Sequence, residues 1–499
     1  MKKLFLSLKV AVILTMGLAG SRACMAKVSL PSLWSDHAVV QRGMPLRVWG
    51  SASAGEKVTV RFRNAEATET ADRLGRWEVD LPAGEAGGPF TMEIEGENKI
   101  GLSDILVGDV WLASGQSNME FGFSGALHAE QELKDADQPK IRLFQVNKRS
   151  SDFPQDDVLA KSWTPCTPTT VADFSAVAYF FARNIQADQH VPIGLIEADW
   201  GGTPGEAWTS LKALAQDASL MPAWDNWADM AEKEPAVLLE RALEDKARQE
   251  ASAAGNPAPA FPWRPELRSW LPGGDFNGMI APLVKFRVRG FLWYQGESNA
   301  SIERSYYYDR LMAAMIHDWR NRWQEGDIPF LLVQLANYTS SPDSKWPELR
   351  EAQRRTLSVN QTGMAVTIDI GDPNDIHPKN KQEVGRRLSL AARALAYHES
   401  LEYSGPLYLT SMRDAKSMRI FFDHAQSGLV SKGGSLTGFE IAGSDGKFVP
   451  AEAVIDGTEV VVSAPQVESP EAVRYGWAGN PLCNLYNQDN LPASPFSTQ

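Results

Sequence analysis

Residues 105–119, ILVGDVWLASGQSNM, constrain the fold more than any other stretch of the chain. Nine residues dense in apolar side chains give way abruptly to the polar, glycine-containing segment SGQSN. This pattern predicts a buried strand followed by a tight turn. Open α/β sheets place their ligand crevice at the carboxyl ends of strands, and Gly115 permits a turn sharp enough to expose a side chain there. Ser117 is therefore a candidate nucleophile, with the alternative that it only caps the next helix.

The region from 104 to 400 alternates between apolar strands and helical stretches. The further predicted strands are 141–146, 191–200, 288–295, 329–336 and 364–370. Nearly continuous apolar strands with helical crossovers indicate a parallel sheet covered by helices on both faces. We therefore predict an α/β fold with a three-layer catalytic domain, whose chemistry lies in the loops that leave the strands.

The 499-residue chain is too long for one typical core, so several domains are expected. Residues 27–103 show short alternating strands and predict an N-terminal β-sandwich, and residues 401–499 return to the same pattern as a C-terminal β unit. A charged, helix-prone and Pro-rich insert at 205–275 interrupts the α/β region. Its tryptophans either stack on sugar rings or pack the insert onto the sheet; they are Trp224, Trp227, Trp263 and Trp270.

Residues 1–26 have the pattern of a secretory signal peptide: Lys2 and Lys3, an apolar stretch at 10–20, and small residues before a cut. Cys24 is an alternative lipid-anchor site, although Arg22 two positions before it does not suit that pattern. The apolar stretch is too short to span a bilayer, and no later run approaches the ~20 residues needed. We expect an exported protein, periplasmic or extracellular.

The mature chain is acidic and contains few cysteines. The full chain has a net charge of −13, which argues against nucleic acid or an anionic membrane as a partner. Cys166 and Cys483 remain after cleavage, and they either form a disulfide, as exported cysteines can, or stay as two buried thiols.

Three polar stretches follow predicted strands and could serve acyl transfer. The turn at 199–203 carries Gly201 and Gly202, whose backbone N–H groups could donate to an oxyanion. Residues 293–299 add the amide donors Gln295 and Asn299. A shallow crevice between Trp200 and Trp293 would favour a small acyl group.

The third stretch, 372–378, precedes a helix with apolar residues at 384, 388, 391 and 395 on one face. His377 is the natural base for a serine, and the base needs an orienting carboxylate. Asp375 is two residues away and, in extended backbone, on the same side, whereas Asp372 is a reserve candidate. We expect no metal, because no second His or Cys stands at ligand spacing nearby.

The blocks GQSNM, WGGT, WYQGESN and DIHP, in this order, resemble the SGNH hydrolase superfamily, specifically the sialate O-acetylesterase-like carbohydrate esterases. The resemblance covers nearly the whole mature chain and implies a flavodoxin-like catalytic domain preceded by a β-sandwich. It implies Ser117 as nucleophile, His377 as base and Asp375 as its orienting partner. The implied oxyanion hole consists of the Ser117 and Gly202 N–H groups and a side-chain amide.

Two departures from the superfamily pattern leave roles open. Ser298 stands where the wider superfamily has Asn, so either Gln295 or Asn299 could be the amide donor. Asn374 stands where Asp is frequent, which keeps Asp372 as an alternative to Asp375. Three further residues of the motifs are expected to support the site or contact substrate: Gln116, Glu297 and Trp200.

The sequence therefore predicts an exported serine esterase that removes O-acetyl groups from sugars through an acetyl-Ser117 intermediate, without a cofactor. O-acetylated sialic acid or a related glycan is the expected substrate. Acetylated xylan or another polysaccharide is an alternative, and so are a lipase or thioesterase on the same triad and a non-catalytic glycan-binding protein.

Overall fold

The computed structural model describes residues 27–341 and 343–499. The predicted signal peptide and Cys24 lie outside these residues, so export and lipid anchoring stay predictions. Within the described ranges, no helix has both the length and the apolar character that crossing a bilayer requires.

Alternating residues build the N-terminal strands. Every second side chain is buried in Lys57–Phe62 and in Arg76–Pro82, as expected of strands with one face on a core. The strands are Val39–Gln41 (β1), Pro45–Ser51 (β2), Lys57–Phe62 (β3), Ala65–Thr70 (β4), Arg76–Pro82 (β5), Gly87–Glu95 (β6) and Lys99–Gly115 (β7). β2 pairs with β5, whereas β6 pairs with both β3 and β7.

The central region contains the predicted, mostly parallel sheet. Its further strands are Gln138–Gln145 (β8), Thr164–Cys166 (β9), Ile193–Asp199 (β10), Gly290–Tyr294 (β11), Phe330–Val333 (β12) and Thr362–Ala365 (β13). Their order is β13-β12-β11-β7-β10-β8-β9, and every pair is parallel except β8 with β9. The first residues after β7, β10 and β11 therefore meet at one edge of the sheet, which is where the candidate site lies.

Helices cover both faces of this sheet. They are Ser117–Glu120 (α1), Ala129–Glu132 (α2), Pro168–Val171 (α3), Ala176–Gln189 (α4), Leu211–Gln216 (α5), Pro222–Ala253 (α6), Tyr308–Trp323 (α7), Trp346–Arg355 (α8) and Lys381–Leu395 (α9). Trp111 of β7 packs on Phe181 of α4, with ring centroids 4.9 Å apart. Phe291 of β11, one residue after the partner of Trp111, points to the other face and packs on Trp319 and Trp323 of α7.

β7 joins the N-terminal strands to the central sheet. Its first part pairs antiparallel with β6 and parallel with β1, and its last seven residues pair parallel with β10. The predicted domain boundary between residues 103 and 104 therefore falls inside one continuous strand. From Ile105 onward every residue of β7 is buried, which explains the unbroken apolar run in the sequence.

The last strand of the central sheet is shorter than predicted. β13 ends at Ala365, whereas the sequence predicted a strand through residue 370. Val366 and Ile368 are each only 3% exposed, so the apolar run continues because of burial and not because of strand pairing. Asp369 accepts hydrogen bonds from the Arg387 guanidinium at 2.6 and 2.8 Å, which ties this segment to α9.

The C-terminal region forms small antiparallel sheets around a separate hydrophobic cluster. Its strands are Leu407–Asp414 (β14), Ser417–Asp423 (β15), Leu429–Ser431 (β16), Phe439–Ala442 (β17), Val449–Pro450 (β18), Glu452–Asp456 (β19), Glu459–Ser463 (β20), Ala472–Tyr475 (β21), Leu485–Asn487 (β22) and Phe496–Ser497 (β23). Arg350 of α8 reaches this region, since its guanidinium donates to the carbonyls of Ala478 and Gly479.

Candidate active site

The turn between β7 and α1 presents Ser117. Gly115 has φ +144°, and a Cβ there would lie 2.1 Å from the Tyr294 carbonyl oxygen, so only glycine fits. The Gln116 N–H donates to that same oxygen at 3.0 Å. Ser117 is the first residue of α1 and is half-buried, while its neighbours Gln116 and Asn118 are buried. The serine thus stands at the carboxyl end of a central strand with its side chain accessible.

Ser117 Oγ lies 2.8 Å from His377 Nε2, although 260 residues separate the two in sequence. His377 is in the segment between β13 and α9, and the ring of Phe121 stacks on its imidazole with centroids 6.4 Å apart. Burial, and then the nearby ammonium of Lys381, lower the pKa of His377 from its usual 6.5. The imidazole is therefore neutral near pH 7, the form that can accept the serine proton.

The structure places Asp375 closer to the imidazole than Asp372. Asp375 Oδ1 is 3.8 Å from His377 Nδ1, longer than a hydrogen bond, and it accepts the His377 backbone N–H at 2.9 Å. Asp372 Oδ1 instead accepts the backbone N–H of Asn374 at 2.8 Å. Asp375 can thus favour an imidazolium electrostatically, while Asp372 is engaged with its own turn.

Two backbone N–H groups at the crevice are free to donate. The Ser117 N–H is at the start of α1, and the Gly202 N–H follows a turn in which Gly202 adopts φ +79°. Neither has an acceptor among the residues that the structure describes. The neighbouring Gly201 lies against Ser117, because a Cβ there would be 3.3 Å from the Ser117 Cβ. This pair of donors is suited to a tetrahedral oxyanion on an ester carbon.

The amides of Gln295 and Asn299 lie beneath the crevice in a buried network. Both are 0% exposed. Gln295 Nε2 has three acceptors, at 2.7 Å on Asn299, 3.1 Å on Gln116 and 3.2 Å on the Thr203 carbonyl. Asn299 Nδ2 donates to Glu206 at 2.8 Å. These hydrogen bonds hold the loops after β7, β10 and β11 together, and an oxyanion-donor role for either amide stays a prediction.

The other predicted supporting residues differ in their surroundings. Gln116 Oε1 accepts from the backbone N–H groups of Gly296 and Ser298, each at 3.3 Å, which links the turn after β7 to the loop after β11. Trp200 is half-buried. Trp293, expected to wall the crevice, is instead 1% exposed, because it packs among the rings of Trp208 and Trp319 below the sheet edge.

A buried Lys-Asn-Glu chain next to the nucleophile was not foreseen from the sequence. Lys381 Nζ donates to Asn118 Oδ1 at 2.5 Å, and Asn118 Nδ2 donates to Glu297 Oε1 at 2.5 Å. Burial lowers the pKa of Lys381 to about 7 and raises that of Glu297. One signal could have found Lys381: it stands three residues before Val384, on the apolar face of α9, where a charge is out of place.

The tryptophans of the insert do not share one environment. Trp270 is buried, and its indole N–H donates to the Gly202 carbonyl at 2.8 Å. Trp227 is half-buried and donates to the Leu267 carbonyl at 3.3 Å, and Trp224 is also half-buried. Trp263 is 67% exposed. Most of these rings pack the insert, whereas Trp263 faces solvent.

Neither a disulfide nor a metal cluster occurs in the part of the chain that the structure describes. Cys166 and Cys483 are both free thiols, and burial raises their pKa to about 12 and about 11. No group of three or more His, Cys, Asp or Glu side chains in the described ranges could hold a metal ion.

The site thus has a serine hydroxyl that is hydrogen-bonded to a histidine, beside free backbone donors at the edge of a parallel sheet. This is the arrangement of a serine hydrolase. A family model described as carbohydrate esterase, sialic acid-specific acetylesterase, matches residues 266–394. The sialate O-acetylesterase of Mus musculus is 31% identical over 91% of this chain and 90% of that protein, and the Homo sapiens protein is 31% identical over 90% and 88%.

The fold is also similar to a crystal structure. A carbohydrate acetylesterase from Xanthomonas citri superposes with a TM-score of 0.83 at 39% sequence identity, covering 95% of this chain and 99% of that one. The chain is therefore a carboxylic ester hydrolase. It belongs to the sialate O-acetylesterase family of carbohydrate esterases, as the sequence motifs predicted.

Proposed function

We propose that the chain removes O-acetyl groups from sugars, with Ser117 as the nucleophile and an acetyl-serine intermediate. The observation that carries this proposal is the 2.8 Å contact between Ser117 Oγ and His377 Nε2 beside two free backbone donors. Membership of an acetylesterase family supports acetyl as the transferred group.

In this mechanism His377 takes the Ser117 proton while the oxygen attacks the acetyl carbonyl. The N–H groups of Ser117 and Gly202 stabilise the negative charge on the carbonyl oxygen of the tetrahedral intermediate. The imidazolium, favoured by Asp375, then protonates the departing sugar oxygen, which leaves the acetyl group on Ser117. Water enters, gives a proton to His377 and attacks the acetyl group, and the second tetrahedral intermediate collapses to acetate and free serine.

For the substrate we propose O-acetylated sialic acid or a related glycan, as the names of the relatives suggest. The carboxylate of a sialic acid would favour a cation near the crevice. Lys148 is such a cation, but its Nζ lies 2.5 Å from Glu120 Oε1, and Glu120 Oε2 accepts the Gly201 N–H at 2.6 Å. Because this cation is already paired, a neutral acetylated polysaccharide such as acetyl xylan is a second candidate.

Replacing Ser117 tests the mechanism. We expect Ser117→Ala to lower kcat by about 10⁴–10⁶-fold on acetylated sugars, as loss of a triad nucleophile does elsewhere. Ser124→Ala is the matched control, since Ser124 lies seven residues on and its hydroxyl only bonds the Ala172 carbonyl. Turnover at the wild-type rate in a folded Ser117→Ala protein would contradict the proposal.

Acetate release from a panel of O-acetylated sialosides, acetyl xylan and acetylated pectin distinguishes the substrates. We expect release from at least one of them and a strong preference for acetyl over longer acyl esters of p-nitrophenol. Preference for long acyl chains would point to a lipase or thioesterase, and Ser117-independent sugar binding without turnover would point to a glycan-binding protein.

We further propose that the chain is exported after removal of residues 1–26, on the basis of their charge and apolar pattern. Protein recovered from the periplasm or medium of an expressing bacterium should begin near residue 27 by N-terminal sequencing. Full-length protein confined to the cytoplasm would contradict export.

A further inference from the structure

We propose that Trp263 forms an aromatic subsite for the sugar ring whose acetyl group Ser117 removes. This inference rests on the proposed function, because it concerns the sugar part of the same substrate. The observations that carry it are the contact between the Trp263 ring and Gly202, the exposure of the ring, and the way in which the insert holds it.

The Trp263 ring lies directly on the backbone of the turn at 199–203, which contains the proposed oxyanion donor Gly202. A Cβ built on Gly202 would be 2.5 Å from Trp263 Cζ2 and 3.3 Å from its Cη2. The preceding glycine, Gly201, lies against Ser117, and consecutive Cα atoms are about 3.8 Å apart. A sugar oxygen esterified to an acetyl group at Ser117 would therefore place its ring within reach of the indole.

The segment that carries Trp263 is anchored to α6 by the two residues that follow it. Arg264 forms ion pairs with Glu240, at 3.0 Å, and with Glu244 of α6. Arg241 Nη2 donates to the Pro265 carbonyl at 2.5 Å. Because the adjacent residues are tied to a long helix, the indole is held in position over the turn.

Trp263 is not needed to pack the insert onto the rest of the chain. Tryptophan is usually buried over most of its surface, yet 67% of this residue is accessible. Trp270 and Trp227 already fasten the insert through their indole N–H groups. An exposed indole offers a flat apolar face with partial negative charge, which suits the C–H face of a pyranose.

The test compares an acetylated sugar with p-nitrophenyl acetate, which has the acetyl group but no sugar. We expect Trp263→Ala to raise KM for the sugar about tenfold more than KM for p-nitrophenyl acetate, the size of one aromatic contact. Trp263→Phe should restore most of the difference. Phe153→Ala removes an exposed ring from a different loop and should change neither value.

An equal rise in KM for both substrates would mean that Trp263 only supports the Gly202 turn. An unchanged KM for both substrates would mean that no subsite exists. Either result overturns the inference. Calorimetric titration of Ser117→Ala protein with the deacetylated sugar separates this question from the proposed function. Trp263-dependent sugar binding supports the subsite even if no sugar ester is cleaved, whereas binding that Trp263→Ala leaves unchanged overturns it.

Discussion

Lys381 has an environment that is unusual for a lysine side chain. It is 0% exposed, and its ammonium lies over the rings of Phe121 and Tyr294 at 4.8 and 5.1 Å. Its hydrogen bond to Asn118 fixes the residue that follows the nucleophile. Its charge also disfavours protonation of His377. A single buried lysine can thus influence both the position of Ser117 and the basicity of its partner.

The pH dependence of kcat/KM should report this effect. His377 must be neutral to act as base, so activity falls as pH drops through its pKa. Lys381, with a pKa of about 7, is protonated in that range, and its charge keeps the pKa of His377 low. Lys381→Gln keeps a donor for Asn118 but removes the charge. We expect the acid limb to move to higher pH by roughly half a unit or more.

Lys379→Gln is the matched control for this measurement, because Lys379 is exposed and lies two residues earlier in the same segment. Its acid limb should coincide with that of the wild type. A Lys381→Gln profile that is lower in amplitude but unmoved along the pH axis would show that Lys381 acts only by positioning Asn118.

At the scale of elements, β7 and the turn that follows it combine fold and site. The strand ends at the level where its two neighbours, β10 and β11, also end, so three loops meet around Ser117. Gly115 pairs with both Asp199 and Tyr294 in these ladders. The geometry of the nucleophile is therefore set by the sheet and not by the short helix α1.

Gly115→Ala should disrupt this turn. The new Cβ would meet the Tyr294 carbonyl at 2.1 Å, and the φ of +144° is strained for any side chain. We expect a loss of unfolding free energy of about 3 kcal/mol or more together with loss of esterase activity. Gly101→Ala is the control in the same strand, where an added Cβ has no atom within 4 Å. Chemical denaturation should separate the two variants; equal stability would contradict the argument.

Local patterns were enough to predict the parallel sheet and the loops that carry Ser117 and His377. Each of those features depends on residues adjacent in sequence, such as the apolar run before Gly115. The continuity of β7 across the predicted boundary at residue 103 was beyond local patterns, because it depends on pairing with β6 on one side and β10 on the other. The surroundings of Gln295 and Lys381 likewise depend on partners distant in sequence. Motif position suggested an oxyanion donor at Gln295, and it suggested no role for Lys381.

At the scale of the whole molecule, buried carboxyl groups should shape the dependence of stability on pH. Glu197 and Asp199 are two residues apart on β10, on one face of the strand, and both are almost fully buried. Burial raises the pKa of both carboxyls above their usual values, and the charge of Glu197 raises the pKa of Asp199 further. The two groups lie at the carboxyl end of β10, next to the strand that leads to Ser117.

The sign of the effect follows from proton binding. Above pH 4.5, the ordinary value for a glutamic acid, the unfolded chain has released protons that the folded chain still holds on this pair. Unfolding free energy therefore falls as pH rises from about 4.5 towards the raised folded pKa.

Glu197→Gln removes one titrating group and the repulsion that it exerts on Asp199. The apparent Tm of the wild type should thus fall between pH 5 and pH 8 by about one degree more than that of Glu197→Gln, as about 1 kcal/mol of linkage requires in a chain of this length. Glu93→Gln, an exposed glutamate on β6, should keep the wild-type slope. Differential scanning calorimetry across this range decides the matter: parallel curves for wild type and Glu197→Gln would mean that the pair does not hold an extra proton in the folded state.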